Sequence, residues 1–110
     1  MTSLFKNATS TVSYASEEVS ILTATNTSYL IQFDVACTSA SGVQITAKLI
    51  KQGGAVVHII KGAPVPVGSA LQILDGQKLV LSAGDSITLS CDTPGGSVDA
   101  IISYVEGVNL

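Results

Sequence analysis

Residues 65–106 decide the fold class, and they read VPVGSALQILDGQKLVLSAGDSITLSCDTPGGSVDAIISYVE. Apolar residues recur there at every second position: Leu71 and Ile73, Leu79 and Leu81, Ile87 and Leu89, Val98 and Ile102 with Ala100 between them. Turn residues separate the runs, at Asp75-Gly76, Gly84-Asp85 and Pro94-Gly95-Gly96. Alternation bounded by turn residues is typical of half-buried antiparallel strands. The stretch therefore predicts an all-β domain with hairpins at Asp75-Gly76 and Gly84-Asp85.

The rest of the chain carries the same signals. Together they predict strands over residues 18–24, 29–37, 43–51, 55–61, 70–74, 78–82, 86–91 and 97–105. Gly53-Gly54 supplies the positive φ of a hairpin turn, and no segment has the capped 3.6-residue spacing of a long helix. Eight to nine short strands predict a single antiparallel β-sandwich, jelly-roll-like or immunoglobulin-like. The Cys…Trp…Cys pattern of true immunoglobulin domains is missing, because the chain has no Trp.

We predict one domain with a distinct N-terminal segment. Residues 1–16 are rich in Ser, Thr and Asn with few apolar side chains, which predicts an N-terminal arm or an edge strand. Residues 17–110 form the predicted sandwich. The first residues lack the apolar core of a signal peptide, so we expect synthesis in a cytoplasm, where thiols stay reduced.

Composition narrows the function classes. The chain has 110 residues, of which 46% are hydrophobic and only 12% are charged, yet it has no apolar run long enough to span a bilayer. The apolar excess therefore fills the core or is buried in an assembly, and both remain open. The net charge is −3, the five basic residues are all Lys, and they form no cluster, which argues against a nucleic-acid partner.

Few residues carry reactive chemistry. Cys37 and Cys91 lie in predicted strands without a C-x-x-C motif, which favours buried free thiols and leaves a cross-sheet disulfide open. His58 is the only histidine, and it precedes the Gly84-Asp85-Ser86 turn, the reverse of the order that a Gly-Asp-Ser hydrolase requires. Enzymes that hydrolyse glycosides with two carboxylates usually also have aromatic side chains on which the sugar ring stacks. Aromatic residues are scarce in this sequence, which argues against a glycosidase.

The acidic turn residues do not form a recognisable metal motif. Asp75, Asp85 and Asp92 together resemble a calcium-binding set only loosely, because no Asp-x-Asp loop accompanies them. Solvated turn residues are the simpler interpretation. The sequence therefore predicts no catalytic residue, no metal and no cofactor, and we expect the protein not to be an enzyme.

The second half of the chain resembles small virion structural proteins of tailed bacteriophages. In these, a Pro-Val-Pro-x-Gly-Ser segment leads to Lys-Leu-Val-Leu-x-Ala-Gly-Asp-x-Ile, and the chain closes with Ser-Val-Asp-x-x-x-Ser-Tyr-x-Glu. The matching segments here are Pro64 to Leu71, Lys78 to Ile87 and Ser97 to Glu106. Residues 24–28 and 44–50 are also similar, so the resemblance covers about residues 18–107.

This resemblance implies a β-sandwich subunit that is located in the virion and made in the host cytoplasm. Its expected partners are other virion proteins (capsid, neck or tail subunits) and further copies of itself, with no nucleic acid and no membrane. A head-decoration or cement role is preferred, and a neck or tail component or a host-surface glycan-binding module is the alternative. The residues predicted to bind partners are Leu4, Phe5, Val12, Tyr14, Val57, His58 and Ile59.

Overall fold

The computed structural model of the chain describes residues 4–74 and 79–106. Strand β1 is Leu4–Ser13, and a 3-10 turn follows at Tyr14–Ser16. The remaining strands are β2 (Glu18–Thr23), β3 (Ser28–Cys37), β4 (Val43–Ile50), β5 (Val56–Val65), β6 (Ala70–Leu74), β7 (Leu79–Leu81), β8 (Ser86–Cys91) and β9 (Ser97–Glu106). Among the described residues there is no helix longer than this 3-10 turn, as the sequence predicted.

The strands form two antiparallel sheets, which confirms the predicted all-β sandwich. Sheet 1 has the order β1-β9-β3-β6, and β7 pairs with β3 beyond the end of β6. Sheet 2 has the order β2-β8-β4-β5. Consecutive strands β1 to β4 alternate between the sheets, as in a jelly roll, whereas strands A and B of an immunoglobulin domain share one sheet. The jelly-roll alternative is therefore the correct one.

A continuous apolar core fills the space between the sheets. Every second residue of the long strands points inward, so β9 contributes Val98, Ala100, Ile102 and Tyr104 while its other residues face solvent. The largest fully buried side chain is Phe33 of β3. Each large apolar side chain buried in this way contributes about 1.5–3 kcal/mol to folding, so the core supplies the main driving force.

Strand β1 is an integral edge strand of sheet 1. It pairs with β9 along its whole length, from Leu4 opposite Glu106 to Ser13 opposite Ser97. The side chain of Val12 has no exposed surface and packs in the core. At the other end, Lys6 forms an ion pair with Glu106, and this contact raises the pKa of Lys6 above its ordinary value. Residues 4–13 are therefore a structural part of the sandwich.

The Gly84-Asp85 turn has a different role from the one predicted. The Gly84-Asp85 turn joins β7 of sheet 1 to β8 of sheet 2, so the prediction of a hairpin there was wrong. The Asp75-Gly76 turn lies outside the described residues. Strands β6 and β7, which flank it, both run antiparallel to β3 along the same edge and do not pair as a hairpin. The turn at Gly53-Gly54 is a true hairpin between β4 and β5, with Gly54 at φ 98°.

Asp85 is buried and organises one end of the sandwich. Its carboxylate accepts hydrogen bonds from Lys51 Nζ at 2.7 Å, from Gln52 N at 3.0 Å and from Ser82 N at 3.0 Å. The bond from Lys51 is the main cause that holds the pKa of Asp85 below its ordinary value, although burial acts in the opposite direction. The prediction of a solvated turn residue was wrong, because Lys51 and Asp85 meet across 34 positions of the chain.

Both cysteines are buried free thiols in the structure. Cys37 Sγ donates to the carbonyl oxygen of Ser41 at 3.4 Å, and Cys91 Sγ lies 3.8 Å from the carbonyl oxygen of Thr93. Each thiol thus has a local backbone partner, and both side chains belong to the apolar core. The predicted interpretation of two small buried thiols is confirmed.

Candidate interaction surfaces

An apolar row crosses the outer face of sheet 1. Cross-strand pairing aligns Phe5 with Val105, Val105 with Tyr29, and Tyr29 with Val80, which places one residue from each of β1, β9, β3 and β7 on a single line. Both neighbours of Tyr29 along β3 are buried, so Tyr29 and the residues aligned with it lie on the outer face of the sheet. We call them the outer apolar row. Phe5 is 80% exposed and Val80 is 44% exposed, although apolar side chains of this size are usually covered.

A β-bulge enlarges the apolar surface beside this row. The register between β3 and β9 shifts between Leu30 and Gln32, so Ile31 is the extra residue and is 40% exposed. Ile31 and Phe5 line a depression of about 280 Å³ on the same face. A soluble monomer seldom leaves several large apolar side chains together at its surface, which makes this face a candidate interface.

An acidic groove lies next to the row on the same face. It has a volume of about 520 Å³, and its lining includes the outward residues of β1, β9 and β3: Thr9, Thr11, Asp34, Ala36, Asp99 and Ile101. Asp34 and Ile101 are direct cross-strand partners. We call this feature the acidic groove, since the only charged residues in its lining are the two carboxylates.

The two carboxylates of the groove are only partly satisfied. Thr11 Oγ1 donates to Asp99 Oδ1 at 2.7 Å, and Gln32 Nε2 donates to Asp34 Oδ2. Asp34 Oδ1 is buried and has no hydrogen-bond partner among the described residues. A buried carboxylate oxygen without a donor is costly, so the groove has unused capacity for a donor, above all a cationic one.

The second candidate surface is the free edge of sheet 2. Strand β5 is the last strand of that sheet, and residues 56–61, which we call the β5 edge, are largely uncovered. Val56 is 50% exposed and Val57 is 53% exposed, although their side chains point to opposite faces of the strand. An apolar edge strand that is open on both faces is prone to pair with another chain.

The β5 edge is irregular because of two bulges. His58 lies opposite Lys48, but Ile60 lies opposite Ala47, so Ile59 is an extra residue that breaks the alternation. A second shift places residues 61 and 62 opposite Thr46. Regular alternation along a strand would place His58 and Ile60 on the same face. The bulge instead turns Ile60 toward the core side, where it packs against buried residues.

Four of the predicted partner-binding residues are exposed. Phe5 belongs to the outer apolar row, and Tyr14 is 47% exposed in the 3-10 turn. Val57 and His58 lie exposed on the β5 edge. The structure therefore places these residues on more than one surface.

The other three predicted residues are less available. Val12 is fully buried, so its side chain cannot reach a partner, and its assignment as a partner-binding residue is corrected. Ile59 is partly buried and packs against the core. The backbone of Leu4 pairs with Glu106, and its side chain lies outside the described part of the structure.

Several residues of the outer apolar row and the acidic groove were not found from the sequence. Tyr29, Val80 and Val105 join Phe5 only through strand register, and no local pattern links four segments of the chain. Asp34 and Asp99 are far apart in the sequence, and they line the same groove because β3 and β9 are neighbours.

The part of the chain that the structure describes has few side chains that could act in catalysis or metal binding. Its His, Cys, Asp and Glu side chains form no group of three or more that could hold a metal ion. Across residues 4–74 and 79–106, no helix has the length and apolar character needed to cross a membrane. The two surfaces above are therefore the best-defined candidate sites.

The comparisons with known proteins bear on the fold alone. No protein-family model matches the chain, and no curated protein is found to be similar in sequence. Among solved structures the chain is similar to the core of Drosophila NLP, whose crystal structure is described as giving insight into pentamer formation and histone binding. The TM-score is 0.57 at 11% sequence identity, covering 91% of this chain and 96% of that one. Likeness at this identity shows a shared β-sandwich fold.

Proposed function

We propose that this protein is a non-enzymatic structural subunit of a bacteriophage particle that self-associates and binds other virion proteins, with head decoration as the preferred role. The observation that carries self-association is the outer apolar row, because it exposes aromatic and aliphatic side chains together on one face of sheet 1. Burial of such a face on a neighbouring subunit stabilises an assembly without any conformational change.

The area of this face is suited to a stable contact. Strands β3 and β9 have ten residues each, and four strands lie side by side. At ~3.3 Å per residue and ~4.8 Å per strand, the face measures roughly 600 Å² in projection. Stable interfaces bury about 800 Å² of accessible surface per partner, and the accessible surface of side chains exceeds their projection. One face is thus large enough for one subunit contact.

Two further observations support the proposal. The segments from Pro64 to Leu71, Lys78 to Ile87 and Ser97 to Glu106 resemble virion proteins, which favours the particle as the location. The Drosophila NLP core, whose described properties include pentamer formation, has a similar fold, so a sandwich of this shape is compatible with closed rings. We propose a location in the virion, after synthesis in the host cytoplasm.

The self-association test uses paired serine variants. The double variant Phe5→Ser/Val80→Ser removes both ends of the outer apolar row, and its expected effect is a loss of the oligomer measured by light scattering. The control is Val67→Ser, because Val67 is 56% exposed but lies outside the row. A double variant that self-associates as strongly as the control would contradict the assignment of this face.

The virion role needs a separate test in particles. Purified particles of the phage that encodes the chain should contain it as a stoichiometric component, and particles that lack it should lose genome at a lower temperature. Particles of unchanged composition and thermal stability would contradict the decoration role. Binding of the isolated domain to a glycan array would instead favour the host-surface alternative.

A further inference from the structure

We propose that the self-association of this chain is head to tail, with the β5 edge of one copy on the outer face of sheet 1 of the next, and with Lys61 of the first copy inserted into the acidic groove of the second. This inference rests on the proposed self-association and deepens it by naming the two unlike surfaces and the ion pair between them.

The charges of the two surfaces are complementary. The groove contains Asp34 and Asp99, with a buried oxygen of Asp34 that lacks a donor among the described residues. Lys61 is exposed on β5 and forms no ion pair with any described residue. Lys6, Lys48 and Lys51 are already paired with carboxylates of their own chain. Lys61 is thus the described lysine that is available to a second copy.

Lys61 and the acidic groove belong to different sheets of the sandwich. Strand β5 belongs to sheet 2, and the groove lies on the outer face of sheet 1. Two packed sheets stand about 10 Å apart and turn their outer faces in opposite directions. The contact must therefore come from another copy, and it joins unlike surfaces, which produces a ring when the rotation closes.

The spacing of apolar and charged positions also matches. On β5, positions 56 and 61 are about 16 Å apart in an extended strand, and the two bulges shorten this span. On β9, Val105 of the outer apolar row and Ile101 of the groove are about 13 Å apart. A neighbouring β5 that places Val56 on the row consequently brings Lys61 over Asp34 and Asp99. The long lysine side chain accommodates the remaining difference.

The test is a charge exchange between the two surfaces. Lys61→Asp and Asp99→Lys each create a like-charge contact in the proposed interface, and each should weaken self-association about a hundredfold by sedimentation or light scattering. The double variant restores an opposite-charge contact and should recover most of the affinity. Lys61→Arg is the matched control and should assemble as the wild type does. Circular dichroism and thermal melting establish that each variant is folded.

Cysteine cross-linking provides a second measurement that does not need a charge reversal. Lys61→Cys and Asp99→Cys are made separately, since the native Cys37 and Cys91 are buried. Oxidation of a mixture of the two variants should give a disulfide-linked dimer, whereas each variant alone should give far less. An equal yield in all three samples would overturn the head-to-tail arrangement.

The outcomes separate this inference from the proposed function. An oligomeric wild type whose mass is unaffected by both single variants, or whose double variant fails to recover, overturns the head-to-tail contact and leaves self-association intact. A wild type that stays monomeric at every concentration overturns both.

Discussion

Replacement of Asp85 by alanine is expected to destabilise the fold strongly, although the residue lies in a turn. The carboxylate is 1% exposed and accepts bonds from Lys51, from Gln52 N and from Ser82 N. In Asp85→Ala the two backbone N–H groups lose their acceptor, at about 1–3 kcal/mol each. Lys51 is 43% exposed and regains water, so it adds little to the cost.

For the two N–H groups together, the expected loss in the free energy of unfolding is about 3 kcal/mol. The loss per group is toward the low end of its range because Gln52 and Ser82 are themselves exposed. For a domain of this size that corresponds to a fall in Tm on the order of 15 °C. The assay is urea unfolding followed by circular dichroism, at a fixed protein concentration. The matched control is Glu18→Gln, which breaks an ion pair between partly exposed side chains and should cost under about 1 kcal/mol.

The same carboxylate gives a pH dependence whose sign is defined. The pKa of Asp85 is lower in the folded chain than its ordinary value of 3.8, so its contribution to stability is present above about pH 4. That contribution is lost as the pH falls through the folded-state pKa. The stability difference between wild type and Asp85→Asn should therefore shrink toward pH 3. A difference that is constant from pH 7 to pH 3, or an Asp85→Ala variant as stable as Glu18→Gln, would contradict the structural role of the Asp85 carboxylate.

Three further predictions concern packing. Gly96→Ala should lower the free energy of unfolding by about 2 kcal/mol in chemical denaturation, because the new Cβ would lie 2.6 Å from Val43 Cγ1 and 2.9 Å from Cys91 Sγ. An unchanged free energy of unfolding would mean that the turn relaxes freely around the new methyl group. Deletion of residues 1–13 should abolish cooperative unfolding, because it exposes the whole edge of β9 that pairs with β1. A deletion product with a sharp unfolding transition would contradict the role of β1 as an edge strand. Native Cys37 and Cys91 should react with a thiol reagent only after addition of denaturant, and rapid labelling of the folded protein would show that the core opens.

The strands were predictable because their information is local. Alternation and turn residues place β8 at residues 86–91 and β6 at 70–74, as the structure has them. Sheet membership was not predictable in the same way. Gly84-Asp85 has the composition of a hairpin turn, and only the partners of β7 and β8, which lie elsewhere in the chain, show that it crosses between sheets.

The candidate surfaces were predictable only in part for the same reason. Phe5 and Val57 were among the residues predicted to bind partners, and both are exposed. The outer apolar row needs the register of four strands, and the bulge at Ile59 has no marker in the sequence. The burial of Val12 follows from its place opposite Val98, which no local feature of residues 1–16 reveals.

Self-association is tested most simply by the mass of the wild-type protein in solution, measured by light scattering on a sizing column over a wide concentration range. We expect an assembly whose mass is a multiple of the 11.2 kDa chain. A trimer favours a decoration protein at three-fold positions of a capsid, and a ring of six or more favours a neck or tail component. A single species of 11.2 kDa at every concentration would contradict the claim that the exposed apolar face is a self-association surface.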